Sequence, residues 1–324
     1  MNKIVISGAT GAIGTALIGY ALERQIQVLA ICRRGSKRIA RLKKAQGLCI
    51  LELNAQEYSD FANHKEELAA LGKYDVFFHL AWQGTTGPDR NDTGLQMRNI
   101  QYALDAVDLA KELGCECFVG AGSQAEYGRA EGMISPDTPV FPENGYGIAK
   151  LCAGQMTRIK CEQRKIKHIW TRILSVYGPG DGEGSLIMSA IGGFLENRET
   201  KFTAGMQKWD YLYSKDAARV LAGLARWGET GQIYCVGSGQ IRLLKEYIHE
   251  IYKEVSGHGA SDEELGIGRR PYMDRQVMYL QADTSKWPGE LKQELKENPL
   301  CSFAEGIRET IAWYKRFQND FQEA

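Results

Sequence analysis

Apolar residues follow two rhythms along this chain. Short unbroken runs occur at Lys3–Ser7, Val28–Cys32, residues 47–53, Tyr74–Ala81, Cys117–Ala121, Ile169–Tyr177 and Gln232–Gly237. Runs of this length, rich in β-branched and aromatic residues, predict buried strands. Between them the spacing turns helical. Ile13, Ala16, Leu17, Tyr20 and Ala21 share one face, as do Met97, Ile100, Ala103, Leu104 and Val107 within 94–113. Residues 146–164 and 214–227 repeat the pattern. Strand alternating with helix predicts an α/β fold of Rossmann type, a doubly wound parallel sheet. Gly178-Pro-Gly180-Asp-Gly-Glu-Gly184 then interrupts the rhythm, and beyond Leu243 the chain is mostly helical, polar and irregular.

The first run leads directly into Gly8-Ala-Thr10-Gly11-Ala12-Ile13-Gly14. Strand, glycine turn and helix together form the setting of a dinucleotide fingerprint, here spaced G-x-x-G-x-x-G. Glycines admit a pyrophosphate to the backbone, and the helix start offers its unpaired N–H groups. The second run ends in Arg33 and Arg34, where an acidic residue would take the ribose of NAD. A guanidinium suits the 2′-phosphate of NADP, so NADP is the expected cofactor, with NAD the alternative. The plain counter-reading makes Arg33, Arg34, Lys37 and Arg38 a solvated basic helix start. Asn54, closing the third run, is a candidate adenine-side contact. These features predict a dinucleotide-binding domain over 1–177, to which 208–240 return, and a smaller mixed C-terminal substrate lobe from 178–207 and 241–324.

Candidate chemistry centres on Tyr146, Lys150 and Ser123. Residues four apart share a helix face, so the Tyr146 phenol and Lys150 ammonium can occupy one site. The ammonium favours the phenolate, and Ser123, released at the end of a buried run, can hold the oxygen that Tyr146 protonates. Tyr211 and Lys215 repeat the spacing without a serine behind them, so Tyr211 is expected to be structural or substrate-lining. The polar loop Trp82-Gln83-Gly84-Thr85-Thr86-Gly87-Pro88 follows the fourth run at the same sheet edge, where Gln83 and Thr85 can line a substrate pocket. His79 lies inside an apolar run and is expected to be a satisfied core histidine. Asn99 either interrupts its helix, binds water or is simply solvated.

Composition narrows the class. The 324 residues carry 40 basic and 40 acidic side chains, which leaves no electrostatic footprint for nucleic acid or an anionic membrane. No apolar run reaches the ~18 residues of a membrane span, and the first strand begins too early for a signal peptide, so a cytoplasmic protein is expected. Eight cysteines are scattered, and Cys115-Glu-Cys117 lacks a second pair at zinc spacing, so reduced thiols and no metal are expected.

With these residues assembled, the chain resembles the extended short-chain dehydrogenase/reductases of the sugar-nucleotide epimerase/dehydratase family. The matching pieces are the glycine turn, His79-Leu80-Ala81, Gly122-Ser123 with Tyr127-Gly128, Tyr146-x-x-x-Lys150, Val176-Tyr177-Gly178-Pro179-Gly180 and Trp209-Asp210-Tyr211. The resemblance implies a nicotinamide cofactor in contact with Leu80, Ala81, Tyr146 and Lys150. It also implies a nucleoside-diphosphate sugar against Gln124, Tyr177, Trp209 and Tyr211, and a homodimer built on helices near 95–113 and 146–164. Gln124 and Ala125 stand where dehydratases of the family carry an acidic pair, which argues against water elimination. Gly122-Ser-Gln-Ala-Glu-Tyr-Gly128, with Trp82 and Trp209-Asp-Tyr211, looks most similar to the CDP-abequose and CDP-paratose synthase branch. The expected function is NADPH-dependent reduction of a 4-keto-deoxysugar nucleotide; an NAD-dependent 4-epimerase is the alternative.

Overall fold

The computed structural model describes residues 1–322. Its strands are β1 (Lys3–Ser7), β2 (Gln27–Cys32), β3 (Leu48–Glu52), β4 (Val76–His79), β5 (Cys117–Ser123), β6 (Lys167–Ile173), β7 (Ser175–Tyr177), β8 (Lys208–Trp209), β9 (Tyr211–Tyr213), β10 (Gln232–Val236), β11 (Arg242–Leu243) and β12 (Tyr279–Leu280). Its α-helices are α1 (Ala12–Glu23), α2 (Tyr58–Phe61), α3 (Lys65–Leu71), α4 (Thr93–Glu112), α5 (Gly145–Arg164), α6 (Leu186–Leu195), α7 (Ser214–Trp227), α8 (Leu244–Ser256), α9 (Gly289–Glu297) and α10 (Phe303–Gln322).

Seven strands form one sheet in the order β10-β6-β5-β4-β1-β2-β3, with every pairing parallel. Helices cover both faces, so the inner strands are apolar throughout rather than alternating. Alternate side chains of β1 divide between the faces. Ile4 and Ile6 pack with Leu17 and Ala21 of α1 and Leu221 and Leu224 of α7. Val5 packs on the opposite side with Val107 and Leu109 of α4 and Cys161 of α5. The sheet order reverses beside β1, and ligands of open α/β sheets bind outside the strand ends at such a switch point.

The single run anticipated over Ile169–Tyr177 is two strands. Leu174 gives its N–H to the Val236 carbonyl, and the chain then leaves the large sheet so that β7 pairs with β9. A further core of Ile187, Ile191, Ile248, Ile251, Ile307 and Ile311 joins α6, α8 and α10, beside the small β11-β8-β12 sheet. No helix among the described residues is long and apolar enough to cross a membrane. All eight cysteines are free; Cys49 and Cys152 are exposed.

Candidate active site

β5 ends on Ser123. Its N–H donates to Glu126 Oε1 at 2.8 Å, and its hydroxyl accepts the Ala125 N–H at 3.2 Å, closing a short 3₁₀ turn over Gln124–Glu126. Helix α5 begins directly beside that turn. Asn144 caps it by accepting the Gly147 N–H at 2.9 Å. A Cβ on Gly147 would meet the Ala125 carbonyl oxygen at 2.3 Å, so only glycine lets the helix start approach so closely. Tyr146 and Lys150 therefore stand one turn apart, alongside the end of β5.

The spacing of α5 from the sheet is set by an indole. A Cβ on Gly120, Gly122 or Gly154 would lie 2.4, 2.4 or 2.6 Å from Trp170, whose ring fills the space these glycines leave. Trp170 Nε1 donates to the buried Glu126 carboxylate at 3.1 Å, and Arg172 Nε does so at 2.7 Å.

Lys150 is buried. Its ammonium donates to the Ala121 carbonyl at 2.6 Å and lies 3.8 Å from the ring centre of Trp82. Burial lowers its pKa to about 7, with Glu126 opposing. Burial raises the Tyr146 phenol, the Ser123 hydroxyl and the Arg90 guanidinium pull it down, and Glu126 adds to the rise. Behind them His79 Nδ1 bonds the Ser7 hydroxyl at 2.9 Å, and burial, then Lys150, lowers it to about 3. It is a neutral core histidine, as anticipated.

A trough of about 820 Å³ runs from the glycine turn to Trp82. Gly8, Thr10, Gly11, Arg33, Asn54, Leu80, Ala81 and Gln83 all line it. Ala12, Ile13 and Gly14 form the first turn of α1, where Gly11 provides no side-chain cap and the helix start stays open to an anion. Gly8 has φ +72°, and a Cβ there would strike Ala81 N at 2.7 Å. Lys37 and Arg38 also line the trough, and no carboxylate is among its lining residues. Arg34 turns away: its Nε bonds Glu57 at 3.1 Å, while its N–H donates to Asn54 Oδ1 at 3.2 Å. This shape and donor set fit a dinucleotide.

The loop after β4 is tied down by two residues of α4. Asn99 Oδ1 accepts the Gln83 N–H at 3.1 Å, and Asn99 Nδ2 donates to the Gln83 carbonyl at 2.9 Å. Gln96 accepts from Trp82 Nε1 and donates to the Gly84 carbonyl, each at 2.9 Å. Neither role was legible beforehand; a buried amide three residues from another on one helix face is the available signal. Thr85 does not line the trough, but its carbonyl accepts from Arg90 Nη1.

Trp209 and Tyr211 line a second hollow of about 250 Å³ with Lys201, Phe202, Gln207 and Arg270. Gln207 Nε2 donates to Thr203 Oγ1 at 3.3 Å, and its buried Oε1 has no partner among the described residues. Gln124 is half-buried in the turn after Ser123. Tyr177 lines neither hollow. It is 1% exposed, and its hydroxyl donates to the Phe303 carbonyl at 3.2 Å.

The profile described as NAD dependent epimerase/dehydratase family matches residues 4–237. A dTDP-D-glucose 4,6-dehydratase of Mus musculus is 25% identical over 70% of this chain, and the match spans only 63% of that protein's length. An uncharacterized UDP-glucose epimerase of Bacillus subtilis is 24% identical, covering 96% of this chain and 97% of its own. A dTDP-4-dehydro-6-deoxyglucose reductase of Escherichia coli is 24% identical over 77% of this chain and 81% of its own. The UDP-glucuronic acid 4-epimerase of Bacillus cereus, solved with UDP-glucuronic acid and NAD, superposes with TM-score 0.79 at 20% identity, covering 97% of this chain and 99% of that one.

Proposed function

The chain is an enzyme of the NAD dependent epimerase/dehydratase family, and within it we propose an NADPH-dependent reductase of a 4-keto-deoxysugar nucleotide. The observation that carries this reading is the trough end at Arg33, Lys37 and Arg38, basic and without a lining carboxylate. Phosphate pairing suits a guanidinium fork, whereas the ribose hydroxyls of NAD call for an acid there. A consumable reductant is usually NADPH, while an epimerase gains from retaining its cofactor.

When bound, the nicotinamide supplies the hydride. The chain's part is to hold the carbonyl and deliver the proton. Ser123 donates to the substrate oxygen, and Tyr146, protonated at neutral pH in its buried setting, passes its proton to that oxygen. Lys150 supports the phenolate that remains. Gly8, Thr10, Gly11, Arg33, Asn54, Leu80 and Ala81 would hold the cofactor. The second hollow suits a nucleoside diphosphate: Phe202 and Trp209 offer faces to a base, Lys201 and Arg270 offer charge to phosphates, and Gln207 Oε1 is a free acceptor. Residues 1–177 with 208–240 would serve the cofactor, and 178–207 with 241–324 the sugar nucleotide. Gln124 and Ala125 leave water elimination without an acid–base pair.

A homodimer belongs to the same proposal. Met97 of α4 and Ile148, Met156 and Ile159 of α5 are 70%, 55%, 44% and 45% exposed, an apolar stripe that a second copy would cover. Met97→Glu with Ile159→Glu should halve the mass measured by light scattering.

The test is stoichiometric. Purified protein, denatured, should release little NAD. Given NADPH and a nucleoside-diphospho-4-keto-6-deoxysugar, it should consume cofactor in proportion to product. Tightly bound NAD⁺, with interconversion of unoxidised sugar nucleotides and no net cofactor use, would leave the 4-epimerase reading instead.

A further inference from the structure

Arg90 stands outside the Ser123, Tyr146 and Lys150 trio, on the 3₁₀ turn Gly87–Asn91 that precedes α4. Its guanidinium carbon lies 4.4 Å from the centre of the Tyr146 ring, and its Nη1 donates to the Thr85 carbonyl at 2.9 Å. It forms no ion pair among the described residues. The turn is fixed from both sides. Gln96 Nε2 donates to the Asp89 carbonyl at 2.9 Å, and the Gly145 N–H donates to Asn91 Oδ1 at 3.0 Å. A Cβ on Gly145 would lie 2.9 Å from the Arg90 carbonyl oxygen, so glycine at the start of α5 lets the turn press against the residue preceding Tyr146.

Three charged neighbours face the phenol from the elements around it, Glu126 in the turn after β5, Lys150 along α5, and Arg90, while the neutral Ser123 hydroxyl at the end of β5 bonds it. Trp82 meets the ring edge-on at 6.2 Å and carries no charge. The Lys150 ammonium is committed to the Ala121 carbonyl and sits 5.8 Å from the Tyr146 ring centre. A buried ammonium loses its proton readily, whereas a guanidinium stays charged at every working pH.

We propose that Arg90 is a positioning residue for proton transfer: held over the Tyr146 ring, its guanidinium stabilises the phenolate and sets the pH at which the phenol gives up its proton. The balance is simple. The phenolic O–H breaks, the proton passes to the substrate oxygen, and the negative charge left on Tyr146 meets a permanent cation. This rests on Tyr146 being the proton-transfer group.

The experiment is a ¹³Cζ-tyrosine NMR titration of the protein with NADP⁺, the Tyr146 signal being assigned by its absence in Tyr146→Phe. Arg90→Met should raise the midpoint by about one pH unit or more, as loss of an opposite charge within ~4–6 Å does. Arg90→Lys should restore most of that shift. A variant still protonated at its alkaline unfolding limit, where the wild type has titrated, counts as the shift. An unmoved midpoint in folded Arg90→Met overturns the proposal, as does a wild-type phenol that never titrates. A KM increase without a midpoint shift would make Arg90 a substrate contact instead. The titration needs no sugar nucleotide, so a wrong substrate leaves it decidable, and full activity in Tyr146→Phe would instead sink the assignment of Tyr146 itself.

Discussion

Arg172 donates from Nε to Glu126 Oε2 at 2.7 Å, with the two side chains 3% and 0% exposed. The same carboxylate receives the Ser123 N–H and the Trp170 indole. Removing one partner of such a pair strands the other charge away from water. Glu126→Leu should therefore cost ~3–5 kcal/mol in urea unfolding, while Glu126→Leu with Arg172→Met should recover much of the loss. A single variant within ~1 kcal/mol of wild type would show that water reaches the guanidinium.

Adjacent arginines should behave differently. Arg33→Ala should weaken NADPH binding tenfold or more while sparing NADH, since a charge-assisted bond is worth ~1.5–3 kcal/mol. Arg34→Ala, which loses only the exposed Glu57 pair, should change neither by more than about twofold. Equal losses of both cofactors in Arg33→Ala would make Arg33 a surface charge.

The two Tyr-x-x-x-Lys pairs can be told apart by turnover. Tyr146→Phe keeps the ring and removes the proton, so kcat should fall at least ~10²-fold with cofactor affinity little changed. Tyr211→Phe should leave kcat nearly intact, because Tyr211 lines the second hollow among Tyr177, Tyr247 and Phe303 rather than beside Ser123. Exchanged behaviours would relocate the site.

Acid should unfold the protein partly through two histidines. Burial lowers His79 to about 3 and His168 to about 4, from 6.5. The unfolded chain takes up these protons first, so their contribution is complete above pH 6.5 and is lost as pH falls toward 4 and then 3. Each can supply a slope of up to ~1.4 kcal/mol per pH unit in that window. Urea midpoints between pH 7.5 and 4.5 should fall less steeply in His79→Gln than in wild type. An identical slope would mean that His79 is already protonated in the fold.

Much of this arrangement could be read from the chain, and the exceptions have physical causes. β1, β2, β5 and β10 are continuous apolar runs because helices cover both faces of the sheet. The break at Leu174 left no trace, because Ser175-Val-Tyr177 continues the same rhythm; a bond from Leu174 to the Val236 carbonyl and the Trp209 indole on Ser175 Oγ direct the change of sheet. Arg33 and Arg34 look alike in sequence, and only the placement of Glu57 separates a trough cation from a paired one. Asn99 read as ambiguous, because a polar residue on an apolar helix face does not announce which backbone it will hold. The Glu126 contacts with Trp170 and Arg172 and the Arg90 contact with Tyr146 join residues dozens of positions apart, so no local pattern shows them.

Trp170 acts as a gauge block between β5 and the helix that carries Tyr146 and Lys150. Gly120, Gly122 and Gly154 are the machined faces against which it rests. Ser123 belongs to the strand on one side of the block, Tyr146 and Lys150 to the helix on the other, so the thickness of one indole fixes how far apart the reacting groups stand. Tolerance at those three glycines is therefore a matter of alignment as much as of stability. A methyl group added on either side would lift the phenol away from the serine without touching either one.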